Sequence, residues 1–366
     1  MRKLADEQRE DPSPAVPTGP AAASRQRDAF FDNAKYLAIV LVAVAHAWEP
    51  LRSDSRAVTA AYMAVYAFHM PAFIIITGYF SRNADGRPER IRRLITGVAV
   101  PYVVFQVLYT FFRRWIHDDP DIPVALFDPW WVMWFLMALF IWRLTVPVWK
   151  AIRWPVPIAT LIAVVASVSP SVGGDLNLMR VLQFLPFFVL GLCLKPEHFA
   201  LVRRREVRLA AVPVFATAVA VAWWAAPRLR WTWFYHRESA QELGASMGTG
   251  IVMTLALFAC AILLTVCFFA LVPQRRTWFT VLGAGTLYGY LLHGFLIKGG
   301  VAWGWYDPTW LNGPPGAVVV SLLAAAGVTV MCSPVVRRTL RFLMEPSMSW
   351  FFRRAGSTGT RDTGGR

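Results

Sequence analysis

The residues best suited to chemistry lie on one apolar stretch, Phe30 to Leu51, FFDNAKYLAIVLVAVAHAWEPL. In a helix, Lys35 and His46 are nearly three turns and roughly 16 Å apart along one face. Asp32 lies three residues before Lys35 and Glu49 three after His46, the spacing at which helical side chains meet. If the helix enters a bilayer near Ala34, His46 lies just past the middle of a hydrocarbon layer about 30 Å thick. An ionisable group there is costly and by default marks a site. The plainer reading is a histidine hydrogen-bonded inside a helix bundle, but several polar residues on one stripe argue against a single tolerated misfit. A histidine near the midplane, with cations toward one end of the helix and aromatic loops toward the other, suits a transfer reaction across the membrane.

A second group of candidates follows in AFHMPAFIIITGYFSR. Pro71 removes a backbone donor in mid-helix and predicts a kink, which frees backbone groups where a ligand approaches. His69 lies two residues before it, and taken alone is better read as structural. Ser81, Arg82, Arg87, Arg90, Arg92 and Arg93 come next, on the same predicted side as Lys35. Guanidinium groups pair with phosphate in a bidentate way, so this cluster suits a polyphosphorylated ligand. Membrane orientation and lipid headgroup binding are an equal alternative. His293, in LLHG, is a further candidate, with an interhelical hydrogen bond as its other reading. His117, His198 and His236 read as solvated loop residues. No His, Cys, Asp or Glu cluster has metal-ligand spacing, so no metal is expected. Cys193, Cys260, Cys267 and Cys332 read as small packing residues.

These residues need membrane helices to position them. With 366 residues, 56% of them hydrophobic, and repeated apolar runs near 20 residues, the chain reads as an all-α, polytopic membrane helix bundle. About ten spans are expected: the first stretch, then 59–80, 94–116, 130–149, 155–171, 178–194, 208–226, 248–272, 278–298 and 315–333. The span at 278–298 is the weakest, because Gly283, Gly285, Gly289 and His293 dilute it. Basic residues favour one set of alternate loops by roughly two to one, which predicts cytoplasmic N- and C-termini. The net charge of +15 therefore reflects orientation and not nucleic-acid binding. Residues 1–28 are expected to be a disordered cytoplasmic tail, 29–335 the membrane domain, and 336–366 a cytoplasmic amphipathic segment with a disordered end. Most tryptophans, among them Trp131, Trp134 and Trp231, fall on the predicted outer side, as an interfacial belt or as a platform for a sugar.

Six segments in this order resemble the acyltransferase 3 family of membrane O-acyltransferases: Asp32, Lys35 and His46 in D-x-x-K with Lys-x10-His spacing, FHMPAFIIITGYF, the arginine-rich loop, WFLMALF, FLPFFVLGL and GTLYGYLLHG. The DNAK start and the HMP motif are most similar to the fucose 4-O-acetylase-like branch. Lys35 stands where many members have arginine, and the soluble domain that some members append is not expected. The resemblance implies a bacterial inner-membrane enzyme that uses acyl-CoA, most simply acetyl-CoA, as donor substrate and holds no permanent cofactor. Its acceptor is then a hydroxyl of a glycan, glycolipid or secondary metabolite, and membrane lipids are its other partners. On this view His46 and Glu49 are catalytic, and Lys35, Arg82, Arg90, Arg92 and Arg93 hold the donor. Asp32, His69 and His293 are secondary candidates. His46 acts either as general base or as a transient acyl carrier. A different class, an exporter with the polar stripe as proton relay, is the alternative, although no repeat of the first helix supports it.

Overall fold

The computed structural model describes residues 28–84, 87–172, 175–346, 348 and 350–352. Most of the expected tails, 1–27 and 353–366, lie outside them. All regular structure among these residues is helical. Each of the ten expected spans contains a helix. The long ones are α1 (Ala29–Ala47), the pair α2 (Arg56–Tyr66) and α3 (His69–Ser81), α4 (Pro88–Leu94) running into α5 (Val100–His117), α6 (Trp134–Leu144), and, after the short α7 (Val146–Ala151), α8 (Pro155–Ser167) and α9 (Leu178–Cys193). Beyond α10 (Pro196–Val202) come α11 (Arg205–Ala225), α12 (Met247–Leu271), α13 (Thr286–Ala302) and α14 (Pro314–Met331).

Among the described residues, seven stretches have the length and apolarity to cross a membrane. Three of the ten expected spans fall short. Trp131–Leu144 and Pro155–Ser167 are apolar but brief. The third, α13, begins only at Thr286, after a 3-10 turn over Thr280–Ala284, and carries Gly289, His293, Gly294, Lys298, Gly299 and Gly300. Large apolar side chains such as Leu209, Val252 and Leu322 are exposed on α11, α12 and α14, as lipid contact requires.

The organising helix is α1, packed against α3, α13 and α14. Its run contains no glycine or proline before Pro50, so the helix propagates freely and stops at Ala47. Asp28 caps it, Oδ1 accepting from the Phe30 amide at 3.0 Å. Ala34, Ala38 and Ala45 are wholly buried, which lets neighbouring helices approach closely. Asn33, also wholly buried, locks the start of α1 to the loop after α12. Its Nδ2 donates to the Pro273 and Arg275 carbonyls at 2.9 and 3.0 Å, and its Oδ1 accepts from Thr280 at 2.7 Å.

The kink expected near Pro71 lies one turn earlier, at Ala67 and Phe68, where α2 gives way to α3. Pro71 has no N–H for the Ala67 carbonyl, so the helix yields there rather than at the proline itself. A close crossing of α3 and α9 fixes the second segment. A methyl group on Gly78 would strike the Phe188 carbonyl, and one on Gly191 the Ile75 carbonyl.

After α14 the expected amphipathic segment forms two short helices, α15 (Pro334–Thr339) and α16 (Arg341–Met344). Met344 is wholly buried, and Glu345 lies 4.0 Å from Arg337 and 3.7 Å from Arg341. This part of the segment is therefore docked to the helix bundle.

Candidate active site

The last turn of α1 brings His46 against α13. His46 Nδ1 is 2.9 Å from His293 Nε2, and the two rings are nearly parallel. His293 Nδ1 is 3.1 Å from the Gly289 carbonyl, one turn back on the same helix. A carbonyl only accepts, so His293 carries its proton on Nδ1 and offers a lone pair at Nε2. His46 must then donate from Nδ1, which leaves His46 Nε2 as an unprotonated acceptor when both rings are neutral. The pair thus fixes the tautomer that a base needs.

His69 is oriented by the same logic from the broken helix. At the break the Val65 carbonyl accepts from the Phe68 amide at 3.2 Å and from His69 Nδ1 at 2.9 Å. His69 Nε2 is therefore also an acceptor, and it has no partner among the described residues. The Tyr66 ring lies between the two histidines, 6.1 Å from His46 and 4.7 Å from His69.

Glu49 does not orient His46. It accepts from the Tyr66 hydroxyl at 3.1 Å and pairs with Lys298 at 3.3 Å. Lys298 in turn lies 4.4 Å above the Trp131 ring, whose centroid is 4.7 Å from that of His46. His46, Glu49 and His69 all line one cavity of about 250 Å³, with Trp131, Trp134 and Tyr290 in its wall.

Three arginines line the same cavity. Arg52 follows α1 and packs its guanidinium against Tyr62 and Trp231, at 5.1 and 4.9 Å. Arg180, in the first turn of α9, lies 5.2 Å from the Trp134 ring and donates from Nε to the Tyr235 carbonyl at 3.0 Å. Arg237 follows the 3-10 turn Trp231–Tyr235. Burial raises the Tyr235 phenol, so it stays protonated in its 2.7 Å hydrogen bond with Tyr62.

At the opposite end of α1, Lys35 pairs with Asp32 at 2.7 Å and lies 5.9 Å from the Phe80 ring. Phe80 and Ser81 line a second cavity, of about 340 Å³, together with Arg90, Arg93 and Arg143. Arg143 donates to the Ser81 hydroxyl at 3.2 Å. Two other arginines of the cluster have contacts outside this cavity. Arg82 donates to the Tyr79 and Leu194 carbonyls at 2.9 and 3.0 Å and so ties α3 to the end of α9, while Arg92 stacks on Phe352 at 5.0 Å.

His236 is not solvated. It is buried, donates from Nδ1 to Gln183 Oε1 at 2.8 Å and meets the Phe184 ring edge-on. Burial pushes its imidazole down to about 3. His117 and His198 are exposed as expected, but they lie in helices and not in loops, at the end of α5 and within α10.

One end of α1 thus carries a histidine pair of fixed tautomer beside an arginine-lined cavity, and the other end lies near a second arginine-lined cavity. A family model described as an acyltransferase domain matches residues 28–333. The chain belongs to the acyltransferase 3 family. It is therefore a multi-pass membrane acyltransferase. No curated protein and no solved structure matches it. For an acyltransferase 3 protein, the sequence reading reached His46, Glu49, His69 and His293, which the fold does bring together. It missed Tyr66, Arg180 and Tyr235, which come from segments far apart in the chain. It also missed Arg143, whose position in the last turn of α6 gives no sign of the Ser81 contact. Lys298 was visible only as one basic residue among many.

Proposed function

We propose that this protein is an O-acyltransferase that moves an acyl group, most simply acetyl, from cytoplasmic acyl-CoA to a substrate hydroxyl, with His46 as general base. The observation that carries this reading is the relay from the Gly289 carbonyl through His293 to His46, because it leaves His46 Nε2 free to accept a proton. In the reaction the acceptor O–H gives its proton to His46 Nε2 as its oxygen attacks the thioester carbonyl carbon. The C–S bond then breaks, the imidazolium returns the proton to the leaving thiolate, and the products are an ester and free CoA. His293 Nε2 accepts from the charged His46 ring throughout and so stabilises the imidazolium.

The donor is assigned to the cationic end. Lys35, Arg90, Arg93 and Arg143 supply charges suited to the CoA phosphates, while Arg82 and Arg92 act through structure there. The pantetheine arm would then run along α1 toward His46, a span of roughly 16 Å. This places the Lys35 end, both termini and the basic loops on the cytoplasmic face of a bacterial inner membrane, in agreement with the distribution of arginine and lysine. The acceptor enters from the other end, where Trp131 and Trp134 offer flat apolar faces to a glycan, a glycolipid or a cyclic metabolite.

The test is release of free CoA from radiolabelled acetyl-CoA by the purified protein in nanodiscs, supplied with host glycans and lipids. Wild type is expected to transfer label to an acceptor, and His46→Ala to lose at least about a hundredfold in rate while keeping its melting temperature. Equal transfer by both proteins would exclude His46 as the base.

A further inference from the structure

The cavity beside the histidine pair holds more positive charge than its wall can balance. Arg52, Arg180 and Arg237 line it, and Glu49 is the one carboxylate among its lining residues. Glu49 is already engaged by Lys298. None of the three arginines has a carboxylate within ion-pair distance among the described residues. Arg52 Nε and Nη1 are buried and have no hydrogen-bond partner among the described residues. A guanidinium left in that state is costly, and the cost falls when an anion completes it.

The arginines are also held ready for a ligand. Aromatic rings pack against Arg52 and Arg180, so each guanidinium is fixed in place at little entropic cost. The fork geometry of arginine matches carboxylate and phosphate oxygens. The donor phosphates do not explain this cluster, since the Lys35 end provides for them a full helix length away.

We infer that the acceptor carries an anionic group, a carboxylate or a phosphate, close to the hydroxyl that is acylated, and that Arg52 and Arg180 bind it. This rests on the acyltransferase reading above and names its substrate class. An anionic lipid headgroup and an anionic soluble glycan share this chemistry. The lipid source has a second feature to draw on, because Phe234 in the cavity wall also lines an apolar cavity of about 530 Å³ between α2, α11 and α12.

The experiment supplies the protein in nanodiscs with radiolabelled acetyl-CoA and a host membrane extract, then separates products on an anion exchanger. Unreacted acetyl-CoA and free acetate are themselves anionic, so they are first resolved from the products against standards, and label is then expected in a retained, anionic product that His46→Ala does not form. Extraction of that product into an organic phase identifies a lipid headgroup, and retention in water identifies a soluble glycan; either supports the inference. Arg52→Gln and Arg180→Gln should each raise the KM for the acceptor roughly tenfold or more without raising the KM for acetyl-CoA, and Arg52→Lys should recover part of the loss. A further arm needs no variant: at saturating acetyl-CoA, inorganic phosphate should compete with the acceptor on wild type. Label confined to the neutral fraction, or no competition by phosphate, overturns the inference and leaves the transferase standing. Absence of His46-dependent label in every fraction overturns the transferase reading, and this one with it.

Discussion

His46 and His293 stand 247 positions apart in the chain and share one hydrogen bond of 2.9 Å, with His293 pinned behind by the Gly289 carbonyl. In the proposed mechanism the second histidine is a positioning residue that acts through the first. It gives His46 an acceptor where many histidine bases have a carboxylate, and it avoids burying a negative charge at membrane depth.

His293→Phe keeps a planar ring but removes the acceptor for His46 Nδ1–H. Its kcat should fall about a hundredfold, with the KM for both substrates nearly unchanged, because orientation of the base matters in the transition state more than in binding. His293→Gln, whose amide oxygen still accepts, should recover part of the rate. Equal loss in both variants would show that restoring an acceptor for His46 Nδ1–H does not restore the rate, and would remove the hydrogen bond as the role of His293.

The Glu49–Lys298 pair should behave as a unit that supports the cavity. Both side chains are partly exposed, at 17% and 27%, so the pair itself is worth only about 1 kcal/mol. Lys298→Met leaves Glu49 facing the cavity without its cation, and should lower the melting temperature in detergent more than the double variant Glu49→Gln/Lys298→Met does. Additive losses would mean that the two charges do not interact.

The sequence makes the helical bundle legible because each apolar run reports its own helix. It also reveals His46, since a histidine inside such a run stands out against its neighbours. What it cannot supply is the partner. Glu49 is one turn from His46 and was the natural orienting group, yet α13 delivers His293 to that position and α2 draws Glu49 away through Tyr66. The arginine cluster shows the same limit: five arginines look alike in the chain, while only the crossing of α3 with α9 shows that Arg82 is tied to the Leu194 carbonyl. Asn33 was read only as a letter in a motif, and its four-way anchoring of α1 depends on the loop after α12 folding back over it.

The donor assignment can be tested through its own charges. Arg143→Gln and the double variant Arg90→Gln/Arg93→Gln should raise the KM for acetyl-CoA, the double variant roughly tenfold or more, and leave the KM for the acceptor unchanged. In wild type the KM for acetyl-CoA should also rise with ionic strength, because phosphate and guanidinium attract one another through partly screened solvent at this end. A donor KM insensitive to both changes would remove the 340 Å³ cavity as the phosphate site.

His236 makes a prediction about stability rather than rate. Its folded-state pKa, near 3, lies below the ordinary value of 6.5, so folding favours the neutral ring. The stability it contributes is therefore fully present above about pH 6.5 and is lost as the pH falls from there toward 3, since the unfolded chain takes up the proton first. His236→Gln has no such titration and retains a donor for Gln183. Wild type should lose more of its melting temperature than the variant between pH 7 and pH 4.5, measured in one detergent at constant ionic strength. The other buried histidines titrate in both proteins and cancel in the difference. Parallel curves would show that protonation of His236 is not resisted by the folded state, and would open the wall between Gln183 and Phe184 to water.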